Sequence, residues 1–367
     1  MVREHDRKLI LEDGSVYTGI GFGADCERVC ELVFDTAMVG YQDILTDSTF
    51  TNQIVVMTYP LIGNYGIVDD DLERRTPSLG GLVVRDYNDQ PSNFRYTRTL
   101  SETMEEDNIP GISDIDTRAL TRRIRDKGVC KALITDIDTS MEEAMEKLAA
   151  PLPSGSVAKV SCKKRWYAKT SNPKHNIAVI DCGVKSGFIR NLNKFGCNVT
   201  VMPYNTTAEM IEEIHPDALL ISNGPGAAEE LPEIVELIKQ LRGRYPMLGI
   251  GLGHELICLA YGAKLFKMHF GHHGGNHAVR NLDTNKLEIV SQNHNYAVDA
   301  DSIKNTDLRI THVNVLDDTV EGVYGAQDAI MGLQFYPDCA PGGTEDSAYL
   351  YPQFIKMMED WKNAKKN

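Results

Sequence analysis

The sequence predicts an α/β protein that consists of a β-rich N-terminal domain and a C-terminal domain with a mainly parallel sheet. Residues 9–150 contain short strands joined by polar, glycine-rich connections. From residue 176 onwards, apolar strands alternate with amphipathic helices, which is typical of a parallel sheet covered by helices on both faces. The stretch between them is rich in proline, serine and lysine. We therefore expect domains at 1–150 and 176–367, joined by a linker at 151–175.

The elements of the N-terminal domain are predicted from short apolar runs that end at turn residues. The clearest helix is 117–127, where Asp116 is suited to cap the N-terminus and Gly128 follows the last turn. The remaining predicted elements are strands at 9–11, 31–34, 53–57 and 81–84.

The C-terminal domain begins with a regular alternation of strands and helices. In sheets of this kind, ligands bind beyond the carboxyl ends of the strands, so the turns that follow the strands are where a site is expected. The predicted strands are 177–180, 199–202, 218–221 and 247–250, and the predicted helices are 187–195, 208–214 and 231–241.

Composition limits the class of function. The chain has 38 Lys and Arg against 52 Asp and Glu, a net charge of −14, which disfavours nucleic acid or an anionic membrane as a partner. Its 8 cysteines include no C-x-x-C pair, which favours reduced thiols over a disulfide framework. The sequence has no run of about 18 apolar residues, so we expect a soluble, cytoplasmic protein.

The segment 247–262 has the pattern of a nucleophile elbow. A short apolar strand ends in a glycine-rich turn and a helix follows, a geometry that presents one side chain above the sheet at a helix N-terminus. The apex residue is Gly251, which has no side chain. Two more glycine-rich turns follow strands, at 181–183 and 222–226. Their backbone N–H groups could bind a carboxylate or an oxyanion, although ordinary turn chemistry also explains each one singly.

These motifs resemble those of a known family. S-N-G-P-G at 222–226, G-I-G-L-G-H-E at 249–255 and F-G-H-H-G-G-N-H at 270–277 resemble the class I, triad-type glutamine amidotransferase domain of carbamoyl phosphate synthetase small subunits. G-Y-Q-D-I-L-T-D at 40–47 and Y-P-L-I-G-N at 59–64 resemble the N-terminal domain of the same subunit. The chain is identified as a member of that family over nearly its whole length.

The resemblance implies a flavodoxin-like domain that hydrolyses glutamine with an elbow cysteine, a histidine base and a glutamate that orients the histidine. It also implies a large synthetase subunit as the partner, which binds ATP, magnesium and bicarbonate and receives ammonia through a channel. No cofactor is expected in this chain. No metal is expected either, because Gly274 and Gly275 keep His272, His273 and His277 off a helix that could present them to zinc.

The three catalytic positions of the family are changed in this chain. By resemblance, the cysteine corresponds to Gly251, the histidine to Tyr336 and the glutamate to Asp338. A phenol, with an ordinary pKa of about 10, is a poor proton acceptor at neutral pH. Loss of a triad nucleophile alone costs about 10⁶ in rate. We therefore expect that no catalytic residue is intact.

The substrate pocket implied by the resemblance is also altered. Glu255 stands where the family has glutamine, and Thr49 where it has serine. Asn295 and Tyr296 replace a Gly-Phe pair. We expect Glu255 to place a carboxylate beside the site of the glutamine amide. The pocket residues are Thr49, Gly224, Gly226, Leu252, Glu255, Asn293, Asn295 and Tyr296.

Another thiol could in principle replace the missing nucleophile. Cys258 lies two helical turns beyond the apex, and we expect it to pack in the core. Cys182 follows a strand and Cys339 follows the altered base position, so either could border the pocket. Neither has the elbow geometry, which disfavours both as nucleophiles.

Two hypotheses of different classes follow. In the first, the chain is a small subunit without glutaminase activity, and its synthetase uses free ammonia for either arginine or pyrimidine synthesis. In the second, it is a binding or regulatory module outside carbamoyl phosphate synthesis, whose pocket binds another small ligand, such as a cation attracted to Glu255. The joint loss of nucleophile and base beside retained motifs in both halves favours the first. Co-purification with a large synthetase subunit would distinguish them.

Overall fold

The computed structural model describes residues 4–338 and 344–365. The chain divides into two compact units. The first comprises Met1–Ser154 and His269–Gly274, and the second comprises Gly155–Met268 and Gly275–Asn367. A short segment from the middle of the predicted C-terminal domain therefore belongs to the first unit.

The first unit is built on a closed β-barrel, which confirms the prediction of a β-rich fold. Its strands are β1 (Arg7–Leu11), β2 (Val16–Gly23), β3 (Arg28–Asp35), β4 (Gln53–Met57), β5 (Leu61–Ile62), β6 (Gly81–Val83), β7 (Asp86–Tyr87), β8 (Pro110–Ser113) and β9 (Cys130–Asp136), and its helices are α1 (Tyr41–Thr46), α2 (Leu100–Glu106), α3 (Thr117–Lys127) and α4 (Met141–Ala149). The barrel order is β1-β2-β8-β6-β4-β3-β9, and β5 and β7 form a separate parallel pair.

Helix α3 has the bounds that the sequence predicts, because both of its ends are capped. The side chain of Asp116 accepts a hydrogen bond from the N–H of Ala119 at 2.9 Å. Gly128 ends the helix with φ 90°, and its N–H donates to the carbonyl of Ile124 at 2.8 Å. Leu120 and Ile124 are buried in the apolar cluster of the barrel.

The second unit contains a sheet of ten described strands with helices packed on it. The strands are β10 (Trp166–Ala168), β11 (His175–Asp181), β12 (Cys197–Pro203), β13 (Ala218–Ile221), β14 (Met247–Ile250), β15 (Leu265–Asn281), β16 (Leu287–Val298), β17 (Arg309–Asn314), β18 (Val320–Gly325) and β19 (Ile330–Leu333), and the helices are α5 (Ser156–Val160), α6 (Ser186–Lys194), α7 (Ala208–Glu212), α8 (Pro232–Leu241), α9 (Leu252–Ala260), α10 (Ala300–Ile303) and α11 (Leu350–Ala364). The sheet order is β10-β12-β11-β13-β14-β19-β18-β16-β15-β17.

The parallel part of this sheet is the five strands β12, β11, β13, β14 and β19. The described pairings of the other strands are antiparallel. The stretch 151–175, predicted as a linker, carries α5 and β10, and β10 pairs with β12. Strand β10 is short and lies at the sheet edge with Trp166 and Tyr167 exposed, so its sequence lacks the apolar run of a central strand.

The carboxyl ends of the parallel strands meet at one edge, which places the predicted turns together. Ile180 on β11 pairs with Ile221 on β13, and Ile250 on β14 pairs with Leu333 on β19. The turns at 181–183 and 222–226 and the elbow at Gly251 all follow these residues. Among the described residues, no helix is both long enough and apolar enough to span a membrane.

Candidate functional site

The turn between β14 and α9 has the backbone geometry of an elbow. Gly251 leaves the buried strand with φ 56° and ψ −116°, a conformation that residues with side chains rarely adopt. Its N–H donates to the carbonyl of Leu333 at 2.8 Å, and its own carbonyl accepts from the N–H of His254 at 2.9 Å. The backbone of the apex is therefore held from β19 and from the first turn of α9.

Glycine serves different purposes at the two central positions of the elbow. A Cβ on Gly253 would overlap the carbonyl oxygen of Ile221, so the close approach of the two backbones requires glycine at this position. A Cβ on Gly251 would lie 3.5 Å from both Asn223 Cβ and Tyr336 Cε1, which is ordinary contact. The apex has room for a side chain, and glycine there relieves backbone strain.

Tyr336 is fixed in the core beside the apex. Its side chain is 1% exposed, and its N–H donates to the carbonyl of Ser291 at 2.8 Å. The ring forms a T-shaped contact with Phe188 at a centroid distance of 5.6 Å, and Lys185 Nζ lies 4.7 Å from the Tyr336 ring centroid. Lys185 Nζ also lies 3.6 Å from Asp338 Oδ2, with both side chains buried. Asp338 is thus paired with a buried cation.

Glu255 is buried in an environment that favours its neutral form. The side chain is 3% exposed, and Gln334 Nε2 donates to its Oε1 at 3.0 Å. Burial raises the pKa of Glu255 to about 8, the charge of Glu229 adds to the increase, and the hydrogen bond from Gln334 opposes it. This environment disfavours the carboxylate that the sequence predicts beside the pocket.

The described candidate thiols are poor nucleophiles. Cys182 and Cys258 are fully buried, and burial raises the pKa of both thiols, whereas the thiolate is the reactive form. Cys258 Sγ lies 3.9 Å from His254 Nδ1, but burial lowers the pKa of His254 to about 3, so this imidazole is neutral. Cys339 lies outside the described residues. The seven described cysteines are free thiols.

The other predicted pocket residues lie in both units. Thr49 belongs to the first unit, in a 3-10 turn at Ser48–Phe50, where its N–H donates to Asp47 Oδ1 at 2.9 Å. In the second unit, Gly224 and Gly226 lie in the turn after β13, Leu252 begins α9, Asn293 and Asn295 are buried on β16, and Tyr296 is half-buried there. Of the three histidines considered for metal, His272 and His273 belong to the first unit and His277 to the second.

Two residues that the sequence did not single out complete this site. Lys185 immediately precedes α6 and is fully buried. Gln334 follows β19 and bonds to Glu255 across 79 residues of sequence. Their positions in the sequence could have identified them, because Gln334 directly follows a strand that ends at the site and Lys185 follows a predicted turn at the same edge of the sheet.

Two family models match the chain in succession. The carbamoyl-phosphate synthase small chain, CPSase domain, matches residues 9–134, and glutamine amidotransferase class-I matches residues 178–357. A carbamoyl phosphate synthase small chain from Staphylococcus epidermidis is 46% identical over 361 residues, 98% of each chain. Small chains of the same name from Fusobacterium nucleatum and Bacillus cereus are each 45% identical over 97% of this chain, and over 99% and 97% of theirs.

Proposed function

The chain belongs to the carbamoyl phosphate synthase small-chain family, and we propose that it is a small subunit that does not hydrolyse glutamine. Its synthetase would then take nitrogen from free ammonia. The partner would be a large synthetase chain, which would bind ATP, magnesium and bicarbonate. The small subunit would be retained because it covers and orders the large chain and shapes the path of ammonia.

The observation that carries this proposal is Gly251 at the elbow apex. Hydrolysis through a covalent acyl intermediate needs a nucleophilic atom at that point, on the first residue after β14. Gly251 supplies only hydrogen, and the next two residues along the chain, Leu252 and Gly253, offer no nucleophilic side chain either. The loss of a triad nucleophile, about 10⁶ in rate, corresponds to about 8 kcal/mol of transition-state stabilisation.

The surroundings of Tyr336 support the same conclusion. A general base must accept a proton at neutral pH, which a phenol does poorly. The carboxylate of Asp338, which would have to orient a base, is instead 3.6 Å from the ammonium of Lys185. The second proposed member of the catalytic group is therefore a weak base, and the third is engaged with a cation.

The alternative is a binding or regulatory module outside carbamoyl phosphate synthesis, whose pocket binds another small ligand. One example of such a ligand is a cation attracted to a negative charge at Glu255. Burial raises the pKa of this carboxyl group to about 8, which disfavours a cationic ligand there at neutral pH. Binding such a ligand would first require removal of the proton.

The proposal is tested by reconstituting this chain with its large synthetase chain and measuring carbamoyl phosphate formation with each nitrogen donor. We expect synthesis with ammonium chloride and none with glutamine in ammonia-free buffer. Adding an independent glutaminase should restore synthesis from glutamine, which controls for the competence of the complex. Synthesis from glutamine without that addition would refute the loss of activity, and failure to bind the large chain would refute the assignment as a subunit.

A further inference from the structure

Glu255 and Gln334 form a buried pair whose described hydrogen bonding is incomplete. The side chains are 3% and 0% exposed and share one hydrogen bond, from Gln334 Nε2 to Glu255 Oε1 at 3.0 Å. The other oxygen of each group, Glu255 Oε2 and Gln334 Oε1, is buried without a hydrogen-bond partner among the described residues. Leaving a buried polar atom unsatisfied is costly, so two such atoms on adjoining groups require a common explanation.

We propose that Glu255 is a protonated carboxylic acid that forms a reciprocal acid–amide pair with Gln334. In this pair the amide N–H donates to Glu255 Oε1, and the acid O–H donates to Gln334 Oε1. A single proton satisfies both remaining atoms. An ionised Glu255 would leave two acceptors, Oε2 and the amide oxygen, with no donor between them.

The electrostatic surroundings favour the protonated form. Burial raises the pKa of Glu255 to about 8, and the side chain of Glu229, in the 3-10 turn Ala228–Glu230 packed against α9, adds to the increase. On α9 itself, His254 is neutral and burial raises the pKa of the Cys258 thiol. Helix α8 and strands β13, β14, β16 and β19 also pack on α9, and no charged side chain in their described parts contributes to the pKa shift of Glu255.

The pair joins the two segments that form the site. Glu255 lies in the first turn of α9, and its N–H donates to the Gly251 carbonyl at 3.2 Å. Gln334 lies two residues before Tyr336, and its N–H donates to the carbonyl of Glu321 at 2.9 Å. The acid–amide pair therefore positions the elbow apex against Tyr336, and it holds only while Glu255 keeps its proton.

The matched variant is Glu255→Gln, because an amide can form the same two hydrogen bonds without a titrating proton. Urea unfolding of both chains would be measured across pH 5–9. We expect the ratio of their unfolding equilibrium constants, wild type over variant, to rise about tenfold per pH unit from about pH 5 and to level off near pH 8. A ratio that does not change with pH would overturn the proposal.

Infrared difference spectra of wild type minus E255Q give an independent readout. A protonated-carboxyl carbonyl band at pH 6.5 that disappears by pH 9.5 is expected, and its absence would contradict the proposal. If E255Q fails to fold, the exchanged variant E255Q/Q334E restores an acid–amide pair with the proton on the other partner. We expect that variant to fold and to repeat the wild-type pH dependence, and its failure to fold would equally count against a reciprocal pair.

Discussion

A cysteine at residue 251 would separate the loss of the nucleophile from the loss of the base. A Cβ at this position lies 3.5 Å from atoms of Asn223 and Tyr336, so the side chain meets ordinary contacts at its base. The cost comes from the backbone, which has φ 56° at Gly251. Strain of this kind is worth about 1–3 kcal/mol, and we expect Gly251→Cys to fold with its free energy of unfolding lowered by about that amount.

We expect almost no glutamine hydrolysis from Gly251→Cys alone, because Tyr336 cannot deprotonate the thiol efficiently. Tyr336→His alone should be equally inactive, because it has no nucleophile to serve. The two changes together should exceed the product of the separate effects, since the members of a catalytic group act as a unit. The structure leaves Asp338 beside Lys185, so we expect the double variant to remain slower than an intact triad.

The assay is glutamate release by the purified complex, with the mass of the intact chain measured after an acid quench to detect an acyl intermediate. Gly251→Ala is the matched control, because it introduces the same backbone strain without a thiol. If Gly251→Cys alone hydrolysed glutamine as fast as the double variant, Tyr336 would not be the missing base. Activity in the alanine control would show that residue 251 is not the nucleophile position.

Three further predictions concern stability in urea. Lys185→Met should cost about 3–5 kcal/mol, because it removes the ammonium group that lies 3.6 Å from the buried carboxylate of Asp338. Adding Asp338→Asn should recover part of the loss, and an unchanged midpoint would contradict this prediction. Burial raises the pKa of Asp35 to about 7, so the contribution of its protonated form to stability is fully present below pH 4 and is lost as the pH rises to 7. At pH 8 the free energy of unfolding of Asp35→Asn should exceed that of the wild type by up to about 4 kcal/mol. Stability curves of the two chains that run parallel with pH would contradict this prediction. Gly253→Ala should lower the free energy of unfolding by at least about 2 kcal/mol, because the new Cβ overlaps the Ile221 carbonyl. A loss below about 0.5 kcal/mol, typical of a neutral surface change, would show that the helix can move away.

The sequence predicted best the elements whose signal is local. Ala218–Ile221 and Met247–Ile250 have the predicted bounds because each is a continuous apolar run bounded by polar or turn residues. Helix α3 has them because Asp116 and Gly128 cap it. The elbow was also predicted, since its spacing of glycines reflects backbone contacts within a single strand–turn–helix unit.

Features that depend on distant parts of the chain could not be predicted. Closure of the barrel depends on pairing between β1 and β9, and neither sequence indicates that the two strands pair. The edge strand β10 is too short and exposed to show a period. The raised pKa of Glu255 follows from its burial in the folded core, so the sequence suggested a charge where the fold favours a neutral acid. Its hydrogen-bond partner Gln334 lies 79 residues away in the chain.

Glutamate release from isotopically labelled glutamine is the decisive readout for a chain with glycine at residue 251. The complex would be supplied with bicarbonate, ATP and labelled glutamine in ammonia-free buffer, and both glutamate and any acyl adduct on the small chain would be measured. We predict neither product above the level of the large chain alone. Sustained glutamate formation, or a covalent adduct at any residue of this chain, would contradict the loss of glutaminase activity.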